Sequence, residues 1–121
     1  MTIYKYHHIG IPTDQPSEGE TYLPDYKVYF RGFEGSEFGI EWMRYEEDAK
    51  VPDLVKKQPH VAFEVDDIME AIKGRKVIIE PNAPSDGVMV AFIEENGAPV
   101  EFLQFTKKRP DNLEKIKRGD R

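Results

Sequence analysis

One pattern of residues appears twice in the sequence and constrains the fold more than any other feature. In each half, a histidine is followed by an apolar, a small and an apolar residue, and further along a glutamate stands between an apolar and an aromatic residue. The paired segments are HIGI at 8–11 with HVAF at 60–63, and IEWM at 40–43 with VEFL at 100–103. Because the segments occur in the same order in each half, the sequence predicts two copies of one unit, approximately 1–50 and 59–105.

Much of the chain has the alternating apolar pattern of short β-strands. Asp66-Asp67 before an apolar run and Gly74 after it predict a short helix at 67–73. Prolines and a glycine at 13–25 disfavour a matching helix in the first half, where we expect a loop or a single turn. The predicted strands lie near 3–11, 26–33, 37–45, 60–65, 76–80, 87–95 and 98–105, the last two joined by a turn at Asn96-Gly97. This order indicates an antiparallel, two-layer or barrel-like α+β domain built from two βαβββ units.

The composition excludes several classes of protein. With 121 residues the chain has the size of one domain, and the absence of cysteine excludes disulfides, thiolate zinc sites and cysteine nucleophiles. No apolar run reaches the roughly 18 residues that span a bilayer, so we expect a cytoplasmic protein that binds no membrane. The net charge is −6 although the C-terminal tail, 106–121, is basic. The body is therefore acidic and is expected to repel nucleic acids.

Four side chains of the repeated pattern are candidates for a metal site. By period-two geometry, His8, Glu41, His60 and Glu101 all lie opposite their apolar neighbours. A pseudo-twofold axis relating the halves would bring them together on the concave face of one sheet. Two imidazoles and two carboxylates suit a divalent metal ion such as Zn, Ni, Co, Mn or Fe. In the alternative interpretation, the four groups form a polar network in a metal-free cup.

Two further residues are candidates for lining a pocket that takes a small molecule. The same alternation places Tyr6 and Met43 on the face of the four candidate ligands and His7 on the opposite face. A small neutral or cationic substrate fits the acidic body, which offers no basic cluster for phosphate groups. A curved sheet with exposed edge strands also favours a homodimer.

Nearly the whole chain resembles the vicinal oxygen chelate superfamily, which contains glyoxalase I, methylmalonyl-CoA epimerase, extradiol dioxygenases and the fosfomycin and bleomycin resistance proteins. The segments that carry the resemblance are HHIGIP at 7–12, GIEWM at 39–43, HVAFEVDDI at 60–68 and VAFIEENGAPVEFLQ at 90–104. The resemblance implies an α+β fold in which two tandem βαβββ modules form a curved, cup-like mixed sheet. The helix of the first module would be short or absent.

The resemblance also implies a site and an activity. The family's metal ligands fall on His8, Glu41, His60 and Glu101, and this set resembles that of glyoxalase I-like members. It implies a metal-dependent lyase, isomerase or epimerase that transfers a proton through a metal-bound enediolate or enolate, with one of Glu101 and Glu41 as catalytic base and the other as acid, depending on the face of the substrate that is presented. The alternative is a non-catalytic protein of the bleomycin-resistance type, which sequesters a small molecule.

Overall fold

The computed structural model describes residues 2–106, which form eight strands and two short helices. In chain order the elements are β1 (Lys5–Pro12), β2 (Thr21–Leu23), β3 (Val28–Arg31), β4 (Ile40–Tyr45), α1 (Asp53–Lys57), β5 (His60–Glu64), α2 (Ile68–Ala71), β6 (Lys76–Ser85), β7 (Val88–Glu95) and β8 (Ala98–Phe105). The basic tail predicted at 106–121 lies, apart from its first residue, outside the described residues.

All eight described strands belong to one sheet with the order β2-β3-β4-β1-β5-β8-β7-β6. We call β1 to β4 the first module and β5 to β8 the second module. In each module the first and last strands pair in parallel, and the modules meet through the antiparallel pair of β1 and β5. The second module therefore repeats the strand order of the first, outward from this central pair. The sheet is mixed rather than antiparallel throughout, a distinction that the alternation of apolar residues alone does not make.

The two faces of the sheet pack into two separate apolar clusters. Along β7, Val90 and Phe92 contribute to one cluster and Ala91 and Ile93 to the other, as the alternation of a strand requires. The face of Val90 is concave, since side chains from β3 and from β7 line one cleft there. The opposite, convex face of the second module is covered by α2, whose Ile68 is fully buried.

The helix predicted at 67–73 forms, although its helical residues are only Ile68–Ala71. The carboxylate of Asp67 caps it by accepting hydrogen bonds from the amides of Met69 and Glu70. Residues 13–20, at the corresponding place in the first module, contain no helix. Together with the tandem modules and the curved mixed sheet, these features confirm the predicted fold class.

Three elements differ from the sequence predictions. β2 lies in the segment expected to be a loop, and α1 is a single turn that the sequence pattern does not indicate. β6 continues to Ser85 instead of ending near 80, with three register shifts against β7. It accommodates Pro81 and Pro84 because it is an edge strand, where a missing backbone donor costs little. Among the described residues, no helix has the length and apolar character needed to cross a membrane.

Candidate metal centre

The four histidine and glutamate residues of the repeat lie in two rows across the centre of the sheet. Residues opposite each other on paired strands project from the same face. The rows are Glu41–Gly10–His60 across β4, β1 and β5, and His8–Ala62–Glu101 across β1, β5 and β8. Each row has its smallest residue in the middle, so the histidine and the glutamate on either side can lean toward each other.

Glu101 lies between the two histidines. Its Oε1 is 3.2 Å from Nε2 of His8 and 3.1 Å from Nε2 of His60. The ligand atoms of the three residues all lie within 4.8 Å of one another, and all three residues are buried. Burial by itself would raise the pKa of Glu101, but the imidazoles of His60 and His8 beside its carboxylate lower that pKa to about 2. Glu101 is therefore ionised at neutral pH.

The geometry of this cluster fits a divalent metal ion. Nε2 of His60 is buried, and its 3.1 Å contact with Oε1 of Glu101 lacks the geometry of a hydrogen bond, an arrangement that costs free energy unless another group binds the atom. Two donors that each lie about 2.1 Å from a metal ion are about 3.0–3.4 Å apart at common coordination angles. The oxygen of Glu101 lies at such distances from both imidazoles. Neutral imidazoles and carboxylates are the ligands that Zn, Ni, Co, Mn and Fe accept in proteins.

Glu41 lies at the side of this cluster. Its Oε1 is 3.6 Å from Nε2 of His8, and the group of three side chains that could hold a metal does not include it. Its side chain is largely buried and lines the neighbouring cleft. Of the four predicted ligands, the structure therefore brings three together and places the fourth beside them, next to His8 and the cleft.

Gly10 provides the space that the ring of His60 occupies. A Cβ atom at position 10 would lie 2.3 Å from Cε1 and 2.7 Å from Nε2 of His60, and 2.8 Å from Sδ of Met43. Any larger residue would push the imidazole out of the cluster. The repeated pattern contains a small residue at this position. Its role in making room for the ring of His60 follows only from the pairing of β1 with β5.

A β-bulge in β1 changes which side chains accompany His8. Tyr6 pairs with Phe63 and His8 pairs with Ala62, so that His7 is an extra residue in the strand. Tyr6 therefore projects from the face opposite to His8, and it is 52% exposed. It is not among the described residues that line the cleft. The prediction that Tyr6 shares a face with the candidate ligands is wrong, because strict alternation fails at a bulge.

The same bulge brings His7 to the site, contrary to the predicted placement on the opposite face. Its Nδ1 is 2.8 Å from Nδ1 of His8, and its ring stacks on Phe33 with 4.9 Å between the ring centroids. A hydrogen bond between two Nδ1 atoms requires that one of them carries the proton. The contact holds the ring of His8 with its other nitrogen, Nε2, directed at Glu101.

A cleft of about 180 Å³ opens beside the cluster on the concave face. Both modules contribute to its walls, and Met43 lines it, where the sequence analysis places a pocket residue. Tyr45 is also part of the lining, and its buried hydroxyl has no hydrogen-bond partner among the described residues. Burial raises the pKa of Tyr45, so its hydroxyl is protonated at neutral pH. The sequence analysis did not single out Tyr45, because its position depends on the curl of the sheet.

Comparisons with known proteins give matches at the level of structure alone. No protein-family model matches the chain, and no curated protein matches it. The crystal structure of the hypothetical protein BH1468 from Bacillus halodurans C-125 is similar, with a TM-score of 0.65 and 22% identity, over 89% of this chain and 99% of that one. The crystal structure of methylmalonyl-CoA epimerase from Mycobacterium tuberculosis has a TM-score of 0.59 and 16% identity, and the match covers 91% of each chain.

At 22% and 16% sequence identity, the similarity to these two structures is evidence about the fold alone. It extends over nearly the whole length of each chain and agrees with the paired modules of the mixed sheet. The chain therefore adopts a fold like that of the vicinal oxygen chelate superfamily, the fold that the resemblance implies.

Proposed function

We propose that the protein is a metal-dependent lyase, isomerase or epimerase of the glyoxalase I type, which transfers a proton on a small oxygen-bearing substrate. The observation that carries the proposal is the buried cluster of His8, His60 and Glu101, whose ligand atoms all lie within 4.8 Å of one another and in which Oε1 of Glu101 is 3.1–3.2 Å from Nε2 of both histidines. A second carboxylate, Glu41, stands beside this cluster at the cleft. One protein of the same fold is named as an epimerase, which supports chemistry of this type.

In this proposal His8, His60 and Glu101 hold the divalent ion, with Zn, Ni, Co, Mn and Fe as candidates. The lowered pKa of Glu101 keeps its carboxylate deprotonated, as a metal ligand must be. When bound, the ion supplies positive charge that stabilises negative charge developing on a substrate oxygen and acidifies the adjacent C–H bond. Mainly apolar side chains line the cleft beside the cluster, and these surroundings strengthen the electrostatic interactions of the charged groups there.

Glu41 is our candidate for the group that takes the proton from the substrate and returns it. Its carboxylate lines the cleft and lies 3.6 Å from Nε2 of His8, so it can reach a substrate that contacts the cluster. Glu101 lies between both histidines and is better suited to a permanent ligand role. The sequence analysis gives catalytic roles to both glutamates, and we now divide the roles between them.

Proton exchange measures this function directly. Protein loaded with Zn or Ni is incubated in deuterated water with a panel of α-hydroxy ketones, hydroxy-acyl compounds and hemithioacetals, and loss of the α-proton signal is followed by NMR. We expect metal-dependent exchange for at least one compound and no exchange with Glu41→Gln. Glu37→Gln, an exposed carboxylate outside the cleft, is the matched control and should retain full exchange. Exchange that survives Glu41→Gln would remove Glu41 as the base.

A non-catalytic binding protein of the bleomycin-resistance type is the second candidate, and the mainly apolar lining of the cleft favours it. Such a protein needs neither a metal ion nor a base. Tight binding of a small molecule that is unchanged by chelators and by Glu41→Gln would support this second function and contradict the first.

We also retain the homodimer and the cytoplasmic location as predictions. The described sheet ends at β2 on one side and at β6 on the other, and exposed edges of this kind are frequent sites of association. Sedimentation equilibrium of the full chain measures the oligomeric state, and a molecular mass equal to that of one chain at all concentrations would contradict the dimer.

A further inference from the structure

The cleft beside the histidine and glutamate cluster is small. Its volume is about 180 Å³, and for comparison an apolar cavity of about 150 Å³ in a protein interior accommodates benzene. The space therefore fits one six-membered ring together with one or two further atoms. A nucleotide-bearing or peptide-bearing thioester has several times this size, and most of it would remain outside the cleft.

The walls of the cleft are apolar on both sides. The first module contributes Leu23, Phe30 and Met43, and the second contributes Val90, Phe92 and Leu103. Side chains of this kind favour an apolar body by removing its surface from water. The residues that would hold the metal ion, His8, His60 and Glu101, lie at one side of the cleft, so the oxygens of a ligand that contact the metal would have a defined place.

The charged groups of the cleft disfavour an anionic substrate body. Among the described residues, its lining contains the carboxylates of Glu41 and Glu101 and no lysine or arginine. These two carboxylates would balance the charge of a bound divalent ion and leave no excess positive charge. A phosphate or phosphonate in the apolar part of the cleft would lose its hydration without gaining a cationic partner.

From these observations we infer that the substrate is a compact molecule whose apolar body is about one six-membered ring in size, carries no phosphate, and presents two adjacent oxygens to the metal. This inference rests on the proposed function, because it takes the metal as the partner of those oxygens. It goes further by naming what occupies the rest of the cleft.

Three hydroxamates test the inference, since each chelates a metal through two adjacent oxygens. Acetohydroxamate has almost no body, benzohydroxamate carries one ring, and phosphonoacetohydroxamate carries an anion. Binding to zinc-loaded full-length protein is measured by calorimetry. We expect benzohydroxamate to bind at least tenfold more tightly than acetohydroxamate, because burial of the ring adds to the shared chelation. Phosphonoacetohydroxamate is expected to bind no more tightly than acetohydroxamate.

A cation placed in the wall sharpens the test. Phe30→Arg adds positive charge to the lining and should raise the affinity for phosphonoacetohydroxamate at least tenfold relative to acetohydroxamate. Phe38→Arg makes the same exchange at a residue that is 68% exposed and outside the described lining, and should leave the ratio unchanged. The comparison of the three ligands on the unaltered protein decides the question even if a variant does not fold.

The outcomes separate the inference from the proposed function. Equal binding of benzohydroxamate and acetohydroxamate, or tightest binding of the phosphonate, would overturn the inference while leaving the metal site intact. Failure of all three hydroxamates to bind, together with failure of the protein to bind zinc, would overturn the proposed function and the inference with it.

Discussion

The two modules build the same half-sheet but cover it differently. On the convex face of the second module, α2 packs Ile68 and Ala71 against Ala91, Ile93 and Phe102, and all of these residues are buried. The first module has no helix between β1 and β2, and Trp42, which corresponds to Phe102 in the repeated pattern, is only partly buried. The concave faces are more alike, since each carries one histidine and one glutamate at the site, although Glu41 of the first module lies beside the group of three. The difference indicates that the second module contributes more to stability, while both modules are required for the site.

The largest effect expected from this difference concerns unfolding. Phe102→Ala removes a fully packed ring beneath α2 and should lower the free energy of unfolding by about 3–5 kcal/mol. Trp42→Ala, the matched change in the first module, should cost about 1–2 kcal/mol, because its ring keeps contact with water. Denaturant unfolding of both variants measures the difference. Equal losses would contradict the proposed division of stability between the modules.

The second prediction concerns the small residues in the middle of the two rows. Gly10→Ala places a methyl group against the ring of His60. It should weaken zinc binding by about 10- to 100-fold, because overpacking of this kind usually costs a few kcal/mol. The reverse exchange at the middle of the other row is Ala62→Gly, beside His8. It should change zinc affinity little and lower the free energy of unfolding by about 1 kcal/mol. Zinc titration of the two variants tests this asymmetry, and unaltered affinity in Gly10→Ala would contradict the role of Gly10.

The third prediction concerns His7, which has no histidine counterpart in the second module. His7→Phe keeps a ring that can stack on Phe33 but removes the hydrogen bond to Nδ1 of His8. We expect zinc binding about tenfold weaker, as is usual when the partner of a metal-bound histidine is lost. The ¹⁵N NMR shifts of His8 should then report both tautomers. His7→Gln, which keeps a hydrogen-bonding group, should recover part of the affinity, whereas equal behaviour of the two variants would limit His7 to a packing role.

The smallest effect concerns the cap of α2, the helix that the first module lacks. Asp67→Ala removes the acceptor of two backbone amides and should lower the free energy of unfolding by about 1 kcal/mol. Asp66→Ala, at the exposed neighbouring residue, is the control and should have no measurable effect. Thermal unfolding monitored by circular dichroism compares the two, and a loss of equal size in both would argue against a specific cap.

The sequence predicted the duplicated modules because short patterns around His8, Glu41, His60 and Glu101 survive in both halves. Strand alternation also placed these four side chains on one face, since β4, β5 and β8 are regular where they carry them. It failed at Tyr6 and His7, because a bulge has no clear signature in a single sequence. The role of Gly10 and the buried hydroxyl of Tyr45 depend on contacts between strands that are distant in the chain, so no local pattern reveals them.

The central claim is that His8, His60 and Glu101 hold one divalent metal ion between the modules. Elemental analysis of the full chain, purified without chelators and then dialysed against zinc, tests it most directly. The account predicts one zinc ion per chain in the unaltered protein and none in His60→Ala, while the exposed control Glu37→Gln keeps one. An unaltered protein that binds no divalent ion, or a His60→Ala variant that binds zinc as tightly as the unaltered protein, would contradict the account.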